Sequence, residues 1–327
     1  MDLALLIREI GRGATGARDM SGSEAQQLYG AMLDGMVADL ELGAIAIALR
    51  MKTESVDEMV GFLAAANERL PTLQRPSSRA RPVVIPSYNG ARRGANLTPL
   101  LALLLRRHGV PVLVHGLSQD YGRVTSEQVF CEYGLAPCDS VHEAQQRIDD
   151  NGLAYLPLAR LSPGLASQLA LRDRLGLRNS AHSLVKMLDP FHGDSLLLAA
   201  ATHPDYIDSM RAVLRIVGAN ALLLRGTEGE PFANPKRRPA IEHVHEGRSD
   251  ILFEAEHDSL RNLPQLPAGS AAQATVEWMR RVLVGDLPLP LPLANQLACC
   301  LYACGRATDL HQAKALVAVD GKGLSVV

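Results

Sequence analysis

Aromatic side chains are scarce in this chain, at 4% of 327 residues with a single tryptophan. That scarcity argues against an extended platform for stacked bases, because each base needs a ring of its own. Tyr88 and Tyr121 are left as the candidates for stacking. Cysteines are few as well. The five, at 131, 138, 299, 300 and 304, are odd in number and include no CxxC pair. This excludes a disulfide framework and a zinc cluster of ordinary spacing. Cys299, Cys300 and Cys304 suit a buried helix face instead, and a reducing cytoplasm is the expected setting. No apolar run approaches the roughly eighteen residues that a membrane span needs. The opening MDLALLIREIGRG has an acid at position 2 and no small-residue cleavage site, unlike a signal peptide. Net charge is −2, so bulk charge points to no polyanion partner. One absence is local. Eight arginines (75, 79, 81, 92, 93, 106, 107 and 123) face a single acid, Asp120, between Arg75 and Arg123, and no acid occurs from Tyr88 to Gly94. An excess of this kind around a glycine turn points to an anion-binding surface.

What is present divides near residue 72. Residues 1–70 read as helical throughout. Leu3, Leu6, Ile7 and Ile10 share one face. Ser21-Gly22-Ser23-Glu24 and Ser55-Val56-Asp57-Glu58 are capping boxes, each opening a helix by pairing a serine hydroxyl with the third amide. A further helix covers about Leu40 to Met51. Helices this apolar cannot all be buried in so small a unit, so residues 1–72 are expected to form a helical domain that packs on a second copy of the chain. Helices between 163 and 190 are expected to join it. The stretch PTLQRPSSRARP is a linker.

From Val83 strands alternate with helices. Val83-Val84-Ile85 is a β-branched strand, followed by the turn Asn89-Gly90-Ala91-Arg92-Arg93-Gly94. A leucine-rich helix runs from about Thr98 to Arg107, and Val112 to Gly116 is a second strand. Helices follow at Ser126–Tyr133, Val141–Ile148, Leu165–Leu175, Ser180–Leu188, Pro204–Val217, Ala271–Val284, Asn295–Cys304 and Leu310–Val319. Strands follow at Leu153–Leu156, Leu196–Ala200, Ala221–Leu224, Ala240–Val244 and Ile251–Phe253, and LPLPLPL at 287–293 reads as an extended connector. The alternation predicts an α/β domain over 73–327 with a mostly parallel central sheet. Strand, glycine turn and helix is how many phosphate-binding folds begin, but such turns rarely carry two arginines.

The order of motifs resembles the anthranilate phosphoribosyltransferase family, glycosyltransferase family 3. Met51-Lys52-Thr53-Glu54-Ser55 leading into the second capping box looks like its N-terminal helical signature. Leu175-Gly176-Leu177-Arg178 with Leu188-Asp189-Pro190 is similar to its LGxRT…NLLGPLxNP segment, and Ala294-Asn295-Gln296 to its C-terminal end. The resemblance implies a nucleoside phosphorylase/phosphoribosyltransferase-like fold, a homodimer, and a reaction using phosphoribosyl pyrophosphate and magnesium. The chemistry departs from that pattern. The family's GTGGD turn is matched by Asn89 to Gly94, which has no acid. Its KHGN motif is matched by Val114-His115-Gly116-Leu117, without the lysine or the asparagine. Its magnesium-holding Asp-Glu pair is matched by Pro231 and Phe232, with Glu228 and Glu230 nearby as alternative ligands. Arg172 matches the arginine that holds the aromatic acid.

Two changes add positive charge: Arg92-Arg93 in the turn and Lys236-Arg237-Arg238 after the altered metal motif. Non-sequence-specific binding of nucleic acid, DNA or RNA, is the expected function, through a basic cleft and without a cofactor. The tokens IPSYNGAR and ANLTPLL resemble the YbiB-type branch of the family, described as dimeric nucleic-acid-binding proteins. Asn89, Gly90, Arg92, Arg93, Arg123, Arg172, Lys186 and Lys236 to Arg238 are the expected phosphate contacts, with His115 and Gly116 at the end of a cleft strand. No catalytic residue is assigned, and no membrane partner is expected. The alternatives are a pentosyl transferase that uses Glu228 or Glu230 to hold magnesium, and a carboxylate sensor built on Arg172. Against a binding role, Arg106 and Arg107 suit a helix C-terminus, and Arg172, Arg174 and Arg178 suit structural ion pairs. Among the histidines only His243-x-His245 has metal-like spacing.

Overall fold

The computed structural model describes residues 2–13, 15–77, 80–256 and 265–320. Contacts divide the chain into two compact units, Met1–Pro71 with Leu158–Pro190, and Thr72–Pro157 with Phe191–Val327. In chain order the first unit opens with α1 (Leu3–Ile10), α2 (Gly22–Leu33), α3 (Asp39–Lys52) and α4 (Val56–Asn67). The second contributes β1 (Val83–Ser87), α5 (Thr98–Arg107), β2 (Val112–Gly116), α6 (Ser126–Tyr133), α7 (Val141–Asn151) and β3 (Leu153–Pro157). The chain returns to the first for α8 (Leu158–Leu161), α9 (Pro163–Leu175) and α10 (Ala181–Leu184). It completes the second with β4 (Leu196–Ala201), α11 (Pro204–Ile216), β5 (Ala221–Arg225), β6 (Ile241–His245), β7 (Arg248–Phe253), α12 (Ala272–Val284), α13 (Leu291–Ala303) and α14 (Leu310–Asp320).

In the helical unit both capping boxes form: Ser21 accepts from the Glu24 amide and Ser55 from the Glu58 amide, with each glutamate reaching back. Glu58 also takes Lys52 Nζ at 2.7 Å and the Met20 amide at 3.0 Å, so the lysine that ends α3 and the start of α4 share one buried ion pair. α2 packs on α4 with Tyr29 stacked on Phe62 at 4.6 Å. The approach depends on Gly61, where a Cβ would lie 2.2 Å from the Gly22 carbonyl oxygen and 2.9 Å from the Ala25 Cβ. Alanine is the better helix former by about 1 kcal/mol. Gly61→Ala is nevertheless expected to destabilise the protein by about 1–3 kcal/mol, because the helices must separate. A drop in thermal midpoint checks this, and an unchanged or raised midpoint would contradict the packing. The expected helix over Ser180–Leu188 is not continuous: α10 is one turn, followed by a 3-10 turn at Val185–Met187.

The α/β unit carries one seven-stranded sheet in the order β3-β2-β1-β4-β5-β6-β7. The five strands from β3 to β5 are parallel, and β6 and β7 close one edge antiparallel. All five residues of β1 and of β2, and all six of β4, are buried, as expected of parallel strands covered on both faces. The order reverses between β1 and β4, so the loops at the C-terminal ends of the central strands surround the switch point where α/β sheets hold ligands. The stretch read as an extended connector is only partly so, because α13 begins at Leu291 with Pro292 in its first turn. Every residue of α13 from Pro292 to Leu301 is buried, which makes it a core helix, and its buried Gln296 is satisfied by the Ala233 amide at 2.7 Å and the Pro231 carbonyl at 2.9 Å. Cys299, Cys300 and Cys304 are free thiols in that core, and burial pushes Cys304 up to about 11. No described helix is long and apolar enough to cross a membrane.

On β6, between β5 and the edge strand β7, His243 is hydrogen-bonded through Nε2 to Asn220 Oδ1 at 2.8 Å, and His245 Nε2 lies 2.9 Å from Asp250 Oδ2. No group of three or more His, Cys, Asp or Glu able to hold a metal occurs among the described residues, so the His-x-His spacing finds no third ligand there. His257 lies outside the described residues. Burial, and then the charge of His245, lower the His243 pKa from 6.5 to about 4, so the ring is neutral in the folded protein at pH 7. The unfolded chain binds the proton more readily. This contribution to stability is therefore complete above about pH 6.5 and lost as pH falls towards 4. Half-buried His182, lowered to about 3 by desolvation and then by Arg178, acts in the same direction. Urea midpoints are expected to fall between pH 7 and pH 5, with a smaller fall in His243→Gln. An equal fall in that variant would contradict the assignment.

Candidate functional site

The turn after β1 is held by the loop after β5, which reads Gly226-Thr227-Glu228-Gly229-Glu230. Thr227 and Glu230 exchange backbone hydrogen bonds at 3.1 and 2.9 Å, leaving Glu228 and Gly229 as the two tip residues. Both have positive φ, 53° and 93°, the pattern of a type I′ turn. Glycine is needed at the second position: a Cβ on Gly229 would lie 1.9 Å from Asn89 Nδ2. Glutamate at the first is unusual, since a side chain in this region is strained by roughly 1–3 kcal/mol. The hydrogen bonds of the Glu228 carboxylate offset that strain.

Glu228 places its carboxylate on the arginine turn. Oε2 accepts from the Arg92 amide at 3.1 Å, and Oε1 from those of Arg93 and Gly94 at 2.9 and 3.2 Å. Glu230, with no exposed surface, does the same one step earlier. Its Oε1 accepts from the amides of Asn89 and Gly90, both at 2.7 Å. Its Oε2 accepts from Ser87 Oγ and, at 3.0 Å, from Thr98 Oγ1. Five amides from Asn89 to Gly94 therefore point at two carboxylates of the same chain. This geometry is the one a turn uses to cradle phosphate, with internal carboxylates in the anion's place. These amides and hydroxyls compete with the alternative role of Glu228 and Glu230 as magnesium ligands, since three of the four carboxylate oxygens already accept two hydrogen bonds and Glu228 Oε2 accepts one.

The expected phosphate contacts fall into groups. Arg92 and Arg93 are exposed and form no ion pair among the described residues. Asn89 is buried, and its side-chain amide donates to the Glu228 carbonyl at 3.1 Å, so it positions the loop. Gly90 is buried behind it, with its carbonyl accepting from Arg123 Nη1 at 3.2 Å. Arg123 is largely covered and stands 3.8 Å from both Glu228 and Asp120, which makes it part of the loop's own electrostatics. Lys236 and Arg237 are exposed. Arg238 pairs with Glu256 at 3.1 Å and lies over the Phe253 ring. Arg172 and Lys186 belong to the helical unit, half-buried on α9 and buried in the 3-10 turn; neighbouring Arg174 pairs with Asp39 at 2.8 Å. Of the other arginines, Arg75 pairs with Asp194 at 3.1 Å and Arg107 donates to the Leu283 carbonyl at 2.9 Å; Arg79 lies outside the described residues.

His115 and Gly116 end β2 beside Pro86 and Ser87 of β1, and both are buried. His115 Nδ1 lies 2.5 Å from the Tyr88 hydroxyl. Tyr88 is itself buried, and that burial raises its pKa well above 10; it is a packing residue and cannot stack on a base. Tyr121 is 71% exposed. Sequence reasoning missed Ser87 and Thr98 and weighed the two glutamates only as alternative magnesium ligands. The signal was present as complementarity: a turn without acids, and a glycine loop with two.

The comparisons with known proteins agree with this fold. Residues 5–69 match the family described as "Glycosyl transferase family, helical bundle domain". A protein of Escherichia coli (strain K12), "Uncharacterized protein YbiB", is 43% identical over 97% of this chain and 99% of its own length. Anthranilate phosphoribosyltransferase of Methylocella silvestris is 26% identical over 97% of this chain and 92% of its own. Among solved structures, anthranilate phosphoribosyltransferase from Thermus thermophilus superposes with a TM-score of 0.79 at 22% identity, covering 99% of this chain and 95% of that one. The yeast enzyme, from Saccharomyces cerevisiae in complex with PRPP and Mg, does so with 0.74 at 14% identity, covering 98% and 93%. By sequence and by fold, the chain belongs to the anthranilate phosphoribosyltransferase family, glycosyltransferase family 3, with a YbiB-like relative.

Proposed function

We propose that the protein is a cytoplasmic homodimer that binds nucleic acid without sequence specificity and no longer transfers phosphoribosyl groups. The observation that carries this reading is the pair of carboxylates on the turn amides. A pyrophosphate would need those donors and the water-excluded space in front of them. Glu228 and Glu230 hold both, while the Arg92 and Arg93 side chains on the same turn remain in solvent. Exposed arginines that meet a phosphate backbone release counterions and read little sequence. Self-association is supported by Met36, Leu40 and Met51, which leave 69%, 81% and 63% of their surface exposed on the helical unit. Neither magnesium nor phosphoribosyl pyrophosphate is expected as a ligand.

Fluorescence anisotropy with unrelated single- and double-stranded oligonucleotides at two salt concentrations tests the reading. Similar affinities across sequences, falling with salt, are expected; no binding to any of them at low salt would sink it. The 26% identity to an anthranilate phosphoribosyltransferase over nearly the whole chain favours the second reading, a transferase. Calorimetry with phosphoribosyl pyrophosphate separates the two. Magnesium-dependent heat would favour the transferase and contradict a closed site.

A further inference from the structure

The loop that fills the turn also walls a second cavity. A pocket of about 740 Å³ opens at the C-terminal ends of β4 and β5, bounded by the 226–228 loop, α11 and the segment 234–240. Ile207 lines it together with buried Leu223 and Leu224, and exposed Arg225, Lys236 and Arg237 stand around it. Its charges do not cancel. Arg211 is answered by Glu242 at 2.7 Å and Asp208 at 2.5 Å, and Arg238 by Glu256 at 3.1 Å. Glu228 is committed to the turn amides. Arg225, Lys236 and Arg237 form no ion pair among the described residues. The pocket therefore sets half-buried Ile207 beside three cations that form no ion pair among the described residues.

We infer that this pocket holds one nucleotide bearing a terminal phosphate, an assignment that rests on the nucleic-acid reading and narrows it. The argument is one of size and charge. Pockets of roughly 300–1,000 Å³ enclose a single small molecule, and a duplex cannot enter one. A phosphate monoester carries about −1.5 to −2 at neutral pH, against a single charge on each diester along a strand. Three cations around one pocket therefore favour a strand end over its interior. The base or sugar lies against Ile207, and the phosphate meets Arg225, Lys236 and Arg237. A free nucleoside monophosphate presents the same chemistry as the end of a strand.

Anisotropy with one single-stranded sequence, carrying a 5′-phosphate, a 3′-phosphate or neither, tests the assignment in the native protein, in Lys236→Ala/Arg237→Ala and in Arg92→Ala/Arg93→Ala. One phosphorylated end is expected to bind about five- to tenfold more tightly than the bare strand, in line with charge-assisted contacts. That advantage is lost in the 236/237 variant and retained in the 92/93 variant, which weakens all three strands alike. Equal affinities for all three in the native protein, or an advantage that survives the 236/237 change, would overturn the inference while leaving general nucleic-acid binding intact. If no strand binds, the proposed function fails, and calorimetry with adenosine monophosphate decides the pocket alone. Heat that disappears in the 236/237 variant supports a free-nucleotide site; no heat overturns it. The substituted residues are exposed, and an unchanged thermal midpoint verifies folding.

Discussion

Replacing Glu230 with alanine is expected to destabilise the protein by about 3–5 kcal/mol, the cost typical of removing one partner from a buried charged network. The carboxylate has no exposed surface and receives four hydrogen bonds, from two amides and two hydroxyls. Without it the Asn89 and Gly90 amides are buried donors with no acceptor, at about 1–3 kcal/mol each. Ser87 and Thr98 lose a partner as well, and the loss falls on a turn that follows a central strand. Glu230→Gln is expected to cost less, because one amide oxygen still accepts from both backbone donors. Glu228→Ala is expected to cost only about 1 kcal/mol, since water replaces a partly exposed acceptor. Urea denaturation of the three variants checks the ranking. A stability for Glu230→Ala within about 1 kcal/mol of the native protein would mean that the turn does not depend on this carboxylate.

The double change Arg92→Ala/Arg93→Ala is expected to weaken binding to oligonucleotides by about tenfold or more at low salt, with an unchanged thermal midpoint. Both side chains are exposed, and the backbone donors that hold the loop are untouched. If each arginine meets one phosphate, the slope of log K against log salt becomes shallower by about 0.9 per contact on duplex DNA and about 0.7 on a single strand. Arg92→Lys/Arg93→Lys keeps the charge and should keep most of the slope, which separates a counterion effect from a bidentate contact. An affinity and slope equal to the native values would remove these residues from the binding surface.

Much of the fold follows from local signals. The two serine–glutamate capping boxes placed α2 and α4, because a cap is decided within four residues. Gly134 and Gly176 stop α6 and α9 in the left-handed conformation, which glycine adopts without strain. The buried β-branched and leucine runs became parallel strands. Local reading failed where a neighbour outweighed it. Ser180–Leu188 has helical spacing but breaks into an α-turn and a 3-10 turn, and the proline-rich 287–293 stretch yields a helix start at Leu291.

The turn from Asn89 to Gly94 marks the division most clearly. Its position after a β-branched strand, its glycines, its two arginines and its lack of acids are all properties of the sequence. What its amides hold was decided by tertiary structure. Glu228 and Glu230 are more than 130 residues away in the chain and reach the turn because β1 and β5 flank β4 in one sheet. A carboxylate in a glycine loop can bind a cation or cap a row of amides, and its local sequence is the same in either case. The choice depends on which partner the fold brings within about 3 Å. Here the fold brings five backbone donors.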